Sequence, residues 1–210
     1  MLRSLEDLVD VALIATDGEI GKIRNFLFDD LSWRILYLVV DVGSWLSRRD
    51  VVISVSVIDQ PDWKTKTFRV NLTKEQVKHS PDVDSKQPVS RQQEIAMREY
   101  FGWPAYWENP NVEFPSASLA AGRKFPVHTK EDSHLRSTDD VTGYQVWARD
   151  GDIGRLENFI VDEPSWHIGY LDVKTGDWLH SRSMMVPTDW VTSVSWADHR
   201  VNIDHIRGQV

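Results

Sequence analysis

The sequence contains no cysteine. That excludes disulfides, thiolate metal sites and a cysteine nucleophile. It has no excess of positive charge: 24 Lys and Arg stand against 32 Asp and Glu in 210 residues, a formal net charge of −8. Nucleic-acid-binding domains are normally basic overall, so this balance argues against nucleic acid as a partner. Long apolar runs are missing too. The longest, Ile35 to Val40, is six residues, against the roughly 20 that a membrane-spanning helix needs, so no transmembrane segment is expected. Met1-Leu2-Arg3-Ser4-Leu5-Glu6-Asp7 turns acidic at once and does not read as a secretory leader. A cytoplasmic protein is the expectation. Signatures of catalysis are also absent. There is no Gly-x-Ser-x-Gly elbow, no HExxH and no HxH, and Gly18-x-x-Gly21 lacks the glycine spacing and the lysine-hydroxyl pair of a phosphate loop.

What the chain does have is tryptophan, ten residues of it, and an internal repeat. Asp17-Gly18-Glu19-Ile20-Gly21-Lys22-Ile23-Arg24-Asn25-Phe26 returns as Asp150-Gly151-Asp152-Ile153-Gly154-Arg155-Leu156-Glu157-Asn158-Phe159. The same offset of 133 runs without a gap from Arg3/Arg136 to Leu46/Leu179, and about 20 of those 44 pairs are identical. Trp63 maps onto Trp196. Beyond it, Arg69-Val70-Asn71 matches Arg200-Val201-Asn202 at an offset of 131. That shift implies two residues lost from the second repeat near Lys64-Thr65-Lys66, which reads as a hairpin tip.

Each repeat spans about 70 residues, Leu5 to Leu72 and Thr138 to Ile203. In the first, β-branched and aromatic segments predict strands near 9–15, 20–29, 33–42, 51–53, 55–60 and 67–71. Asp17-Gly18 and Asp150-Gly151 are expected to be the two central residues of type I′ hairpin turns. Gly21 and Gly154 are expected at a bulge or bend. Six short antiparallel strands with such bends predict a small closed or nearly closed barrel. Between the repeats, Thr73–Lys78 carries a capping-box pattern, and Ser90–Phe101 reads as a helix closed by Gly102. Tyr100 to Trp107 holds five aromatics in eight residues, and Glu108 to Leu135 reads as linker.

These residues resemble a known family. Asp-Gly-x-Ile-Gly-x-(Ile/Leu)-x-Asn-Phe, then Asp29…Trp33-x-Ile-x-Tyr-Leu-Val-Val-Asp and Gly-x-Trp-Leu, are similar to the PRC-barrel. So is the tail Asn71–Pro81 followed by Pro88-Val89-Ser90-Arg91 and Trp103-Pro104-Ala105-Tyr106-Trp107. That family includes the cytoplasmic domain of the photosynthetic reaction-centre H subunit and a domain of a ribosome-maturation factor. The resemblance implies a mainly β protein: two small antiparallel PRC-type barrels in tandem, with short helices after the first. The implied divisions are 1–80, an aromatic tail and linker over 81–135, and 136–210. It also implies a docking module without catalytic residues. No counterpart of the H subunit's membrane helix is expected.

The candidate site residues are the tryptophans. Trp33, Trp45, Trp166 and Trp178 recur at matched positions. Trp103 and Trp107 sit in the tail. Trp147 and Trp190 belong to the second repeat alone, replacing Ile14 and Val57. These eight are interface candidates, because an apolar ring beside water favours burial against a partner. Asp17, Gly18, Gly21, Asp150, Gly151 and Gly154 are assigned to turns, with no metal. His128 and His134 with Glu131 and Asp132 fall in the linker. No catalytic residue and no cofactor is expected. The functional expectation is a scaffold or adaptor that binds protein and self-associates, with a homodimer as one form. The alternatives are a small-ligand or metal-binding stress module and a ribosome- or RNA-associated factor.

Overall fold

The computed structural model describes residues 1–43, 50–59, 62, 64–81, 91–103, 135–176 and 182–209. In chain order the strands are β1 (Leu2–Ser4), β2 (Ala12–Ala15), β3 (Gly18–Asp29), β4 (Arg34–Asp41), β5 (Asp50–Ser54) and β6 (Thr67–Arg69). Two helices follow, α1 (Lys74–Lys78) and α2 (Arg91–Phe101). Then come β7 (Leu135–Ser137), α3 (Thr138–Val141), β8 (Gln145–Ala148), β9 (Gly151–Asp162), β10 (His167–Thr175), β11 (Arg182–Pro187), β12 (Val191–Ser195) and β13 (Arg200–Ile203). The protein is mainly β. Among the described residues no helix is long and apolar enough to cross a membrane.

The chain forms two compact units, and only one of them is a continuous piece of sequence. The first unit is Val9–Ser137; the second is Met1–Leu8 together with Thr138–Val210. In the first unit the ladder runs β5–β4–β3–β2–β6, antiparallel except for the parallel β2–β6 pair. In the second it runs β11–β10–β9–β8–β13–β12, with β8–β13 parallel. Among the described residues no ladder joins the ends, so each sheet is open rather than closed. One reason lies at Val55–Val57, where the expected strand is a 3₁₀ turn. The Ser54 hydroxyl accepts from the Ser56 N–H there and offers the backbone a local alternative to pairing.

Each long central strand outruns its hairpin partner. β2 pairs with β3 only as far as Lys22. The remaining edge, Leu27–Asp29, is covered by β7, with Leu27 opposite Ser137, Phe28 opposite Arg136 and Asp29 opposite Leu135. In the second unit β8 covers the start of β9, and β1 covers Ile160–Asp162: Ser4 faces Ile160, Arg3 faces Val161 and Leu2 faces Asp162. The register is the same at an offset of 133. The strand preceding each repeat is therefore lodged in the other repeat's unit. Arg136 Nε donates to Asp30 Oδ2 at 3.3 Å, and Arg3 Nε pairs with Glu163 in the same way. Asn25 donates to the Ser137 hydroxyl at 2.6 Å, and Asn158 donates to the Ser4 hydroxyl at 2.7 Å.

The structure also corrects the repeat alignment. Ile58 bridges Val70 while Val191 pairs with Ile203; Asp62 bridges Thr67 while Ser195 pairs with Arg200. Lys66 and His199 are both left-handed, at φ 51° and 50°. The offset of 133 thus continues to the end, and no residues were lost near Lys64. The 131-offset match arises because a two-residue slip preserves which side chains face inward. Phe68 and Val70 are buried, as are Val201 and Ile203.

The core is the inward face of each sheet: Leu13, Ile23, Phe26, Leu38, Ile53 and Phe68 in the first unit, and Val146, Leu156, Phe159, Leu171, Val186 and Val201 in the second. Gly21 and Gly154 each follow a bulge, where Leu13 faces Gly21 but Ile14 faces Glu19, and Val146 faces Gly154 but Trp147 faces Asp152. What demands glycine is close approach. A Cβ at Gly21 would lie 2.1 Å from the Asp41 carbonyl oxygen, and one at Gly154 would lie 2.1 Å from that of Lys174. Gly21→Ala or Gly154→Ala is therefore expected to destabilise its unit by about 1–3 kcal/mol through backbone displacement. Gly169→Ala, which has open space around it, is expected to leave the denaturation midpoint unchanged.

The lodged strands make a second test. Arg3→Glu places like charges together beside Glu163, where both side chains are about four-fifths buried. A loss of about 1–2 kcal/mol is expected. Glu163→Arg is expected to restore it and Asp30→Arg is not, as read by denaturation of each double variant.

Candidate functional site

The acidic turns differ in geometry from the type I′ expectation. Ala15 pairs with Gly18, so the two-residue loop is Thr16-Asp17; in the second unit it is Arg149-Asp150. The glycines open the strands, with φ of 137° and 138°, and neither aspartate is left-handed. The aspartates cap instead. Asp17 Oδ1 accepts from the Lys74 N–H at 2.8 Å, at the start of α1. Asp150 Oδ1 accepts from the Arg207 N–H at 2.8 Å, at the start of the 3₁₀ turn Arg207–Gln209. A carboxylate at an exposed helix start satisfies a donor that would otherwise lack a partner. Thr73 and Gln76 complete a reciprocal capping box on α1. Among the described residues no group of three or more His, Asp or Glu is placed to hold a metal ion.

The tryptophans divide by burial. Trp33 is 7% exposed, stacks on Phe28 at 5.4 Å and has a left-handed φ of 54°. Trp166 repeats that backbone at φ 55° and is half-buried. In both, the N–H closes a turn onto the aspartate four residues earlier, Asp29 or Asp162, at 2.8 Å. Trp103 follows the left-handed Gly102, is 7% exposed, and stacks on Phe101 at 4.3 Å. Its ring also lies 6.1 Å from Tyr37, whose hydroxyl donates to the fully buried Glu94 of α2 at 3.0 Å. Trp33 and Trp103 belong to the interior of the first unit. Trp45, Trp63, Trp107 and Trp178, with His128, His134, His180, Glu131 and Asp132, lie outside the described residues.

Trp147 and Trp190 are placed differently. Both are half-buried. On β8 and β13 the inward side chains are Val146, Val201 and Ile203; Gln145, Trp147, Arg200 and Asn202 alternate outward. The Arg200 guanidinium lies 4.1 Å above the centre of the Trp147 ring. Cation and ring attract at that distance. Trp190 stacks on His205 at 3.8 Å, with ring planes 19° apart. Trp147 Nε1, Arg200 Nε and His205 Nδ1 are buried without a hydrogen-bond partner among the described residues. At the offset of 133, the matching positions in the first unit are Ile14, Val57 and Leu72. Two tryptophans and a histidine stand where the first unit has three aliphatic side chains. Sequence reading found the tryptophans from this mismatch. It missed His205 because the 131 offset misaligned that strand.

A separate open groove of about 550 Å³ lies in the first unit, lined by Glu19, Lys22, Arg24 and Asp41 around Gly21. Its charges are of both signs.

Comparison with known proteins agrees with the geometry. The model of the PRC-barrel domain matches residues 2–77. An uncharacterized protein of Deinococcus radiodurans is 32% identical over 88 residues, which is 41% of this chain and 31% of that protein. The chain thus spans about a third of that relative's length. The matched segment includes β1, the strand that this structure lodges in the second unit.

The capping aspartates give a pH test. The Arg207 N–H holds the Asp150 carboxyl below its ordinary value, against the opposing effect of burial. The Ser165 hydroxyl, followed by the N-terminal ammonium, does the same for Asp162. A carboxyl depressed in the folded state stabilises fully above the unfolded value of about 3.9, and that share is lost as pH falls through the folded value. At neutral pH the wild type is expected to melt above Asp150→Asn. The gap is expected to close as pH drops below about 4, as followed by thermal melts across that range.

Proposed function

We propose that the protein is a non-catalytic adaptor built from two PRC-type units, which docks a protein partner on the outer face of the second. The observation that carries this reading is the change at one set of matched positions. Ile14, Val57 and Leu72 in the first unit correspond to Trp147, Trp190 and His205 in the second, where the Arg200 guanidinium lies over Trp147 and Trp190 stacks on His205. Half-exposed tryptophan beside arginine is the composition that interface hot spots favour. Arg200 carries a fixed positive charge on that face, so the fitting partner presents acceptors, carboxylates above all.

The PRC-barrel match over residues 2–77 supports a docking module. Further support comes from the geometry shared 133 residues apart, in glycine contacts, left-handed residues and capping aspartates, which is what duplication of one unit would leave. The test is quantitative capture and cross-linking from the source cell, comparing wild type with Trp147→Ala/Arg200→Ala. Loss of a wild-type partner by at least about tenfold is expected, equal to about 1.4 kcal/mol, with the melting temperature nearly unchanged because both side chains face outward. A partner held equally by the variant, or a catalytic turnover in place of any partner, would contradict the reading.

A further inference from the structure

The two lodged strands are the same peptide. Leu2-Arg3-Ser4 and Leu135-Arg136-Ser137 are identical and sit in identical register. Each is read at two side chains. The arginine meets a carboxylate, Glu163 or Asp30, and the serine hydroxyl accepts from Asn158 or Asn25. Both asparagines are fixed in orientation, because each Oδ1 accepts the next backbone N–H, from Phe159 at 2.8 Å or Phe26 at 2.7 Å. Backbone pairing supplies affinity, and the arginine and serine contacts supply selectivity, as in strand addition to a sheet edge.

The two sites differ in how firmly they hold their strand. Leu135 is 1% exposed, whereas Leu2 is 54% and Met1 78% exposed. β1 is three residues long, and its terminal ammonium is held by an exposed pair with Asp162 at 3.2 Å. Behind it, Leu5 and Leu8 are buried in the second unit, and the chain passes to the first unit at Leu8–Val9. Asp10, just beyond, is left-handed at φ 65°. A short strand joined through one strained residue is the element that swapping uses.

We propose that the β9 edge is a receptor for the Leu-Arg-Ser strand that takes β1 from a second copy of this chain as well as its own, so that copies associate by exchanging their N-terminal strands. The second copy is the fitting occupant because the peptide that the site reads is this chain's own N-terminus. Within one chain the tether holds β1 at an effective concentration in the millimolar range for a short flexible link. Exchange between copies is therefore favoured by high concentration, and most of all by refolding at high concentration. This inference gives the assembly part of the adaptor reading a definite partner and surface.

The absence of cysteine makes the test clean. Chains carrying only Ser4→Cys and chains carrying only Ile160→Cys are mixed, refolded together and oxidised. Neither can form a disulfide within itself, so a 4–160 bond reports β1 in trans. A yield about tenfold above a Gly169→Cys control is expected, rising with protein concentration. Arg3→Glu in the donor is expected to abolish it, and Glu163→Arg in the acceptor to restore it. Wild-type protein, measured by light scattering after refolding at increasing concentration, is expected to gain a dimer fraction. A yield at the control level, or a wild type that is monomeric at every concentration, would overturn the proposal. Capture of another protein that depends on Trp147 but is indifferent to Arg3→Glu would leave the adaptor reading standing alone. Exchange without such capture would leave only the strand receptor.

Discussion

Half of one edge of each central strand has no partner within its own hairpin, and everything else in the molecule is arranged around that gap. β3 and β9 are twelve residues long, while β2 and β8 are four. An uncovered edge of this kind is a template for uncontrolled pairing. The hairpin does not supply the missing strand, because the chain before β2 and β8 leaves the edge at the left-handed Asp10 and Gly143. The chain supplies it from the segment before the other repeat. Two covalent segments thereby bind each unit to residues far away in sequence. The folding of one repeat is tied to the presence of the other.

The bulge glycines and the capping aspartates serve the same geometry from the other end of the long strands. At Gly21 and Gly154 the carbonyl of the neighbouring strand comes so close that any side chain would push it away. That close approach follows directly after the bulge that redirects β3 and β9. The aspartate before each strand reaches the start of the helical turn that closes the repeat, α1 or Arg207–Gln209. Sheet start and repeat end are thus linked through that aspartate in each unit. The two units keep this frame and differ on their faces. In the first, Tyr37 is covered by Glu94 and Trp103. In the second, the matching Tyr170 is 36% exposed, and Met185 nearby on β11 is 48% exposed.

Much of the frame was legible in the sequence because it rests on local signals. The strands around Asp-Gly, the bulge at Gly21, the capping box at Thr73 and the stop at Gly102 all follow from residue types at fixed spacing. The offset of 133 was legible as identity. The destination of β1 was not. Three residues of alternating pattern state that a strand forms and leave open which edge it joins. The repeated Leu-Arg-Ser was visible, but two equivalent edges accept it equally well on sequence grounds. The open ends of the sheets escaped notice because Ser54 competes for backbone at Val55–Val57, a local effect that the apolar pattern conceals. The outer face of the second unit was half legible: Trp147 and Trp190 stood out by size, whereas Arg200 and His205 join them only through pairing across β8, β13 and the turn beyond.

The central claim is that β1 completes the second repeat's sheet and β7 the first's. Amide hydrogen exchange, compared between the full chain and one lacking Met1–Ser4, tests it most directly. Protection is expected to fall at Ile160–Asp162, while Leu27–Asp29 stays protected under β7. Loss of protection at Leu27–Asp29, with Ile160–Asp162 unchanged, would show that β1 belongs to its own repeat and would contradict the account.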